Sequence, residues 1–484
     1  MKRLSNLDLW QEHGGNLLVV QPFMDSVIVR GEGCYLIDAD ERRILDLAAG
    51  QFCSILGHNN RTFIETLQRQ LESGIHLGDQ YVSPNVLRAA ARLASVTPGA
   101  LSKVLFLSTG SEANECAMRI AKTVTGRTGM LAYSRGYYGI SLATRTLSSI
   151  SEHSGKVDFE PAPVNQHKLI TPSCRRCPIG LEHPSCRLAC LGVSLDMVGD
   201  QLKNVAAIIV ETVVSAGGMI FPPKDFLQAL YAEAHRMGAI FIVDEAQTGF
   251  GRCGRWFDIE HYDIVPDILV VSKTAGNGYP AAAVVVSDGI ANALENSGFT
   301  HLSSHQNDPL AAAAVHAVID LVEQEGLVQH SADVGAYFVE QLRGLQGRHP
   351  VIADVRGRGL MIGMELSDEY VRQCPDLAFQ LTMLCEQRGV HVTFTYYEPV
   401  IRFIPPLIIS KDEIDVAVGI LDEVLGVLEK GKANPRDLSP RNLRSGPFVR
   451  RMTSTGFHPI RMARKMWNTS PQQWAARLRA SLPK

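Results

Sequence analysis

Five short runs, at residues 104–107, 206–210, 239–243, 268–271 and 281–286, are apolar at nearly every position, and loop and helix patterns separate most of them. A strand apolar on both faces has to be covered on both. That excludes a half-solvated antiparallel sheet and selects a central, mostly parallel sheet between layers of helix. The expected fold class is α/β, with ligands at the carboxyl ends of the strands.

The 484 residues leave room for more than this one domain. Residues 1–55 form an N-terminal segment with a hairpin pattern, 33–38 then 43–47, turning at Asp40-Glu41. Residues 56–309 form the large domain, with a cysteine-rich insert at about 165–195. An Ala-rich helical pattern at 310–328 leads into a smaller α+β domain, 310–430, with strands expected at 351–354, 359–365 and 390–393. A final helix is expected at 411–425, opened by Ser410, an N-cap type residue. Residues 431–484 are a basic tail of charge +11 against −14 for the rest. A solvated tail is expected, with Trp467 and Trp474 packing part of it on some surface. No long apolar run and no secretory pattern is present. The expectation is a cytoplasmic protein without membrane or nucleic-acid partners.

Three segments carry chemistry. The strand at 105–107 runs through Ser108-Thr109-Gly110-Ser111 into a helix, so first-turn N–H groups and hydroxyls at a positive helix end can hold a phosphate; a plain capped helix is the bland alternative. The strand at 239–243 ends in Asp244-Glu245-Ala246-Gln247, two acids that an apolar strand does not explain, other than as a salt-bridged strand end. The strand at 268–271 ends in Ser272-Lys273 among small residues, and partial burial there favours an amine able to form a Schiff base and shuttle a proton.

Together, from about residue 30 to 425, these segments resemble the class III (ornithine and 4-aminobutyrate type) aminotransferases of pyridoxal 5'-phosphate fold type I. The most specific pieces are Asp244-Glu245-Ala246-Gln247-Thr248-Gly249-Phe250-Gly251-Arg252 and Ser272-Lys273. The resemblance implies pyridoxal 5'-phosphate as cofactor, held as a Schiff base by Lys273. It implies that Gly110 and Ser111 hold the phosphate, Asp244 faces the ring nitrogen, Gln247 bonds the ring hydroxyl, and Ala246 packs under the ring. Tyr137 stands where the family has its stacking aromatic; Tyr138 replaces the usual histidine, and Glu211-Thr212 the usual Glu-Pro.

Within the family the motifs are most similar to 2,2-dialkylglycine decarboxylase. That likeness implies that Arg402 clamps a substrate carboxylate and Gln51 contacts a carboxylate perpendicular to the ring. It also implies that Ser304 reaches the neighbouring subunit's phosphate, hence a homodimer or a dimer of dimers. Ala216 departs from it, standing where the decarboxylase has a serine and the ω-amine enzymes a glutamate. The expected activity moves an amino group from an amino acid to a 2-oxo acid, with or without loss of carbon dioxide. A racemase or epimerase on the same scaffold is the rival enzyme reading. The non-enzyme rival is a catalytically silent protein acting through its tail or cysteine loop.

Cys174, Cys177, Cys186 and Cys190, spaced C-x2-C and C-x3-C in a Pro- and Gly-punctuated stretch, permit one structural zinc, reversible disulfides or free thiols. The other six cysteines are scattered and are expected to be reduced.

Overall fold

The computed structural model describes residues 4–18, 23–78, 80–149, 165–395 and 397–431, so the basic tail with Trp467 and Trp474 lies outside the described residues. These fall into two units, one of residues 4–69, 250–255 and 317–431, the other of 70–249 and 256–316.

The second unit is built on a seven-stranded sheet in the spatial order Leu101–Leu107, Ala282–Ser287, Ile268–Val271, Ile240–Asp244, Val205–Glu211, Gly129–Tyr133, Gln166–Leu169. Ala282–Ser287 alone runs against its two neighbours. The other pairings are parallel. Val205–Glu211 is buried at all seven positions, as a strand apolar on both faces requires. The helix Gly110–Thr125 starts where Thr109 accepts a bond from the Glu112 N–H and ends at Gly126, in the left-handed region. Its stripe of Ala113, Ala117, Ile120 and Ala121 packs on Ile209, Ile242, Val270 and Val284 of the sheet.

In the first unit, Ile28–Glu32, Tyr35–Asp38 and Arg43–Asp46 form an antiparallel meander to which Val390–His391 adds in parallel. A second sheet orders Ile352–Arg358, Met361–Leu366, Val400–Phe403 and Thr393–Phe394. The single strand expected at 390–393 is thus two: Val390 pairs parallel with Leu45 and Thr393 antiparallel with Arg402, demands that one straight strand cannot meet. The helix expected at 310–328 is also two, Pro309–Gln324 and Leu327–Gln346, because Gly326 takes φ +63 between them. The last helix, Lys411–Glu429, opens on a reciprocal capping box of Ser410 and Glu413. No helix of the described residues is long and apolar enough to cross a membrane.

Candidate active site

In the second unit, three adjacent parallel strands deliver Glu211, Asp244 and, just past Val271, Lys273 at their carboxyl ends; Glu211 and Asp244 stand opposite each other in register. Lys273 adopts φ +43, a left-handed backbone uncommon for a residue with a side chain and concentrated at functional sites. Its Nζ lies 5.8 Å from the centroid of the Tyr137 ring.

The carboxylate of Asp244 is held from two sides. Oδ1 accepts from the Ala246 N–H at 2.9 Å and Oδ2 from Asn114 Nδ2 at 2.7 Å. Burial pushes its pKa up, and these bonds together with the Lys273 charge only partly offset that. A buried acid of this kind suits a cationic partner. Asn114 uses its other N–H on the carbonyl of Tyr138 at 2.8 Å, so one amide fixes both the acid and the segment carrying Tyr137.

The two acids ending the 239–243 run have different tasks. Glu245 is wholly buried and turned to structure: it accepts from the Ile259 N–H at 2.7 Å, the Asp258 N–H at 3.1 Å and the Thr248 hydroxyl, anchoring the turn Asp258–Tyr262. Glu211 accepts the Tyr137 N–H at 2.8 Å, and burial raises its pKa to about 8, with Asp244 adding to the rise and Lys273 opposing it. Neither Asn114 nor this task of Glu211 is among the sequence expectations. An asparagine beside Ala113 on a buried helix stripe, and an acid ending an apolar strand, are the signals that could have found them.

Gln247 is buried, and its Oε1 has no hydrogen-bond partner among the described residues. Ala246 is buried beside it. At the helix N-terminus, Ser111 Oγ accepts from the Ile140 N–H at 3.1 Å, which leaves its O–H to donate. Gly139 makes this approach possible, since a Cβ there would lie 2.4 Å from that oxygen. Tyr138 is not a second platform: it is buried, with its hydroxyl accepting the Tyr133 N–H at 3.3 Å. Ser304 is exposed in the loop before the Pro309–Gln324 helix. The residues present fit pyridoxal 5'-phosphate. An unpartnered Gln247 oxygen suits a ring hydroxyl, a buried carboxylate a ring nitrogen, a lysine near an aromatic face the aldehyde, and a helix N-terminus with Ser111 the phosphate.

Arg402 and Gln51 belong to the first unit. Arg402, on Val400–Phe403, is buried; its guanidinium carbon lies 4.7 Å from the Phe52 ring centroid, and Nη2 donates to the Phe394 carbonyl at 3.3 Å. Gln51 is exposed in a short turn, Ala49–Phe52, of left-handed backbone. Arg252, which closes the Asp244 motif in sequence, is fully buried in this unit as a structural tie, donating to the carbonyls of Leu360 (3.3 Å) and Pro405.

The four clustered cysteines are free thiols, Cys174 exposed and the others half-buried. Cys190 lies in the first turn of the helix Ala189–Val198 rather than in a loop. Leu181 N–H approaches Cys177 Sγ at 3.4 Å. Among the described residues, the trio of ligand-type side chains whose donor atoms fall within 4.8 Å of one another is His76, His305 and Asp308, not the cysteines. There both imidazoles bond to the Asp308 carboxylate.

Known proteins resemble this chain over most of its length. The chain is 33% identical over 399 residues to an acetylornithine aminotransferase of Archaeoglobus fulgidus, covering 82% of this chain and 94% of that one. It is 31% identical over 417 residues to a leucine/methionine racemase of Thermococcus litoralis, covering 85% and 93%. An amine transaminase from an uncultivated Pseudomonas species, solved in its PLP-bound form, superposes with a TM-score of 0.78 at 30% identity, covering 86% of this chain and 98% of that one. The family model of class-III aminotransferases matches residues 19–425. This chain belongs to the class-III aminotransferase family.

Proposed function

We propose that the protein is an aminotransferase using pyridoxal 5'-phosphate at Lys273, and that its donor is an α-amino or α,α-disubstituted amino acid and its acceptor a 2-oxo acid. The observation that carries this is the convergence, at one end of one sheet, of Lys273, the doubly held Asp244 and the unpartnered Gln247 oxygen. When bound, the cofactor supplies an aldehyde that links to amines and a ring that accepts the electron pair of a bond broken at the substrate's α-carbon.

The protein's own residues do the rest. Asp244 holds a proton on the ring nitrogen, which strengthens that electron acceptance, and Asn114 keeps the carboxylate aimed. Tyr137 offers a flat face, its backbone fixed by Glu211. Lys273 is the residue that would hold the cofactor's aldehyde, and its Nζ would serve as the base that moves the substrate's α-proton. Arg402, in this reading, holds the substrate carboxylate in its planar fork, and Ala216 brings no competing charge. The exposed Ser304 is assigned to a neighbouring subunit's phosphate, which makes the working form a homodimer; the cytoplasm is its expected place.

The test is one half-reaction. Holoenzyme mixed with L-alanine and no 2-oxo acid should release stoichiometric pyruvate as the cofactor absorbance changes. Formation of D-alanine without pyruvate would sink this reading and establish the racemase alternative, which the Thermococcus litoralis relative keeps open. Carbon dioxide from 2-aminoisobutyrate would add the decarboxylating branch.

A further inference from the structure

We propose that Asp46 and His58 form the positioning device for Arg402, acting through the left-handed turn Ala49–Phe52, which seats the Phe52 ring against the guanidinium. This rests on the reading of Arg402 as the carboxylate clamp, and all the residues involved lie in the first unit.

The turn is unusual in its backbone. Ala49, Gly50, Gln51 and Phe52 take φ of +45, +54, +65 and +74 in succession. Side-chain-bearing residues avoid this region because Cβ crowds the following carbonyl oxygen, and they visit it singly rather than in series. Three such residues in one turn stay there only when their surroundings hold them.

The hold is visible. Asp46 is fully buried; Oδ1 accepts from the Ala48 N–H at 2.9 Å and Oδ2 from the Gly50 N–H at 2.7 Å. His58 Nε2 lies 2.9 Å from the same Oδ2. The turn closes on itself through Phe52 N–H to the Ala48 carbonyl at 2.7 Å and Cys53 N–H to the Ala49 carbonyl at 2.9 Å. Backbone bonds from Ile404 to Leu47 and from Leu407 to Ile55, each 2.7 Å, tie both ends of the segment to the chain just beyond Arg402.

The consequence falls on the arginine. Phe52 is 2% exposed and Arg402 7%, so their 4.7 Å contact is a desolvated cation–π pair. Packed on the buried Phe52 face, the guanidinium has its orientation set beforehand, and pre-set orientation is read as affinity.

The test uses holoenzyme, with isobutyrate, a carboxylate without an amine, as the binding probe measured by calorimetry. Steady-state parameters with L-alanine are the second readout and the thermal midpoint controls for folding. Phe52→Leu is expected to weaken isobutyrate binding about 5- to 30-fold and to raise the KM for L-alanine similarly while kcat changes far less. Phe52→Tyr should restore both. Asp46→Asn, which removes one of the carboxylate's acceptor oxygens, should move the same two quantities in the same direction. If Asp46→Asn does not fold, His58→Gln, which keeps the backbone bonds to Asp46, carries the same expectation at smaller size. Arg402→Ala is run alongside: unchanged isobutyrate binding in that variant would defeat the clamp reading itself. If Arg402→Ala loses binding while Phe52→Leu and the folded Asp46 or His58 variant do not, the positioning role is overturned and the clamp survives. A fall in kcat with KM unchanged would also overturn it.

Discussion

Replacing Glu211 by glutamine should shift stability in the variant's favour as pH rises. Burial lifts the Glu211 carboxyl from its ordinary 4.5 to about 8, against the pull of the Tyr137 N–H and the Lys273 charge and with the help of Asp244. Between those two values the folded chain keeps a proton that the unfolded chain has released, so rising pH drains stability from the fold. Each pH unit in that window costs about 1.4 kcal/mol, or about 3 kcal/mol accumulated at pH 7. Glutamine keeps one oxygen for the Tyr137 and Ser215 N–H groups and has no proton to lose, and any cost of its amide is the same at every pH. The difference between Glu211→Gln and wild type should therefore be constant below pH 4.5, shift in favour of the variant through the window and level off above about 8. Urea unfolding of cofactor-free wild type and variant at pH 5, 6, 7 and 8 reads it directly, as about 1.4 kcal/mol gained per pH unit. A difference that does not vary with pH, or a wild type that gains on the variant as pH rises, would mean that Glu211 is ionised in the fold and that burial does not govern it.

Asn114→Leu removes both bonds from one amide and strands the Asp244 carboxylate; a loss of about 2–4 kcal/mol in denaturant unfolding is expected, and a loss under about 0.5 kcal/mol would contradict the bonding described. Gly139→Ala puts a methyl 2.4 Å from Ser111 Oγ at a backbone φ of +131, so affinity for pyridoxal 5'-phosphate, followed by fluorescence quenching, should fall about tenfold or more. Tyr138→Phe removes a 3.3 Å bond from the Tyr133 N–H and should cost about 0.5–1.5 kcal/mol of stability while leaving cofactor affinity near wild type, because the Tyr138 hydroxyl is spent on the backbone.

The strands of the central sheet were legible because burial on both faces writes a continuous apolar run, and the polar residues that break those runs at their ends, Asp244 and Lys273, stood out for the same reason. Other features were hidden by the periodic reading itself. Gly326 sits inside an Ala-rich pattern and splits it, and 390–393 serves two sheets that one period cannot describe. Asn114 passes for an ordinary polar helix position until the helix is seen to turn that face onto Asp244. Nothing in Ala49, Gln51 or Phe52 announces a left-handed turn, since their residue types disfavour it and the cause lies in Asp46, three residues upstream of Ala49. The division of labour between Asp244 and Glu245, adjacent in sequence, is set by which way each carboxylate points from the strand end, and only coordinates give that.

The central claim is that the cofactor is held at Lys273. Holoprotein reduced with borohydride, digested and sequenced by mass spectrometry should carry the phosphopyridoxyl group on the peptide containing Lys273 and nowhere else, with Lys273→Ala unlabelled. A label on a different lysine, or a fully folded protein that takes up no pyridoxal 5'-phosphate, would contradict the account.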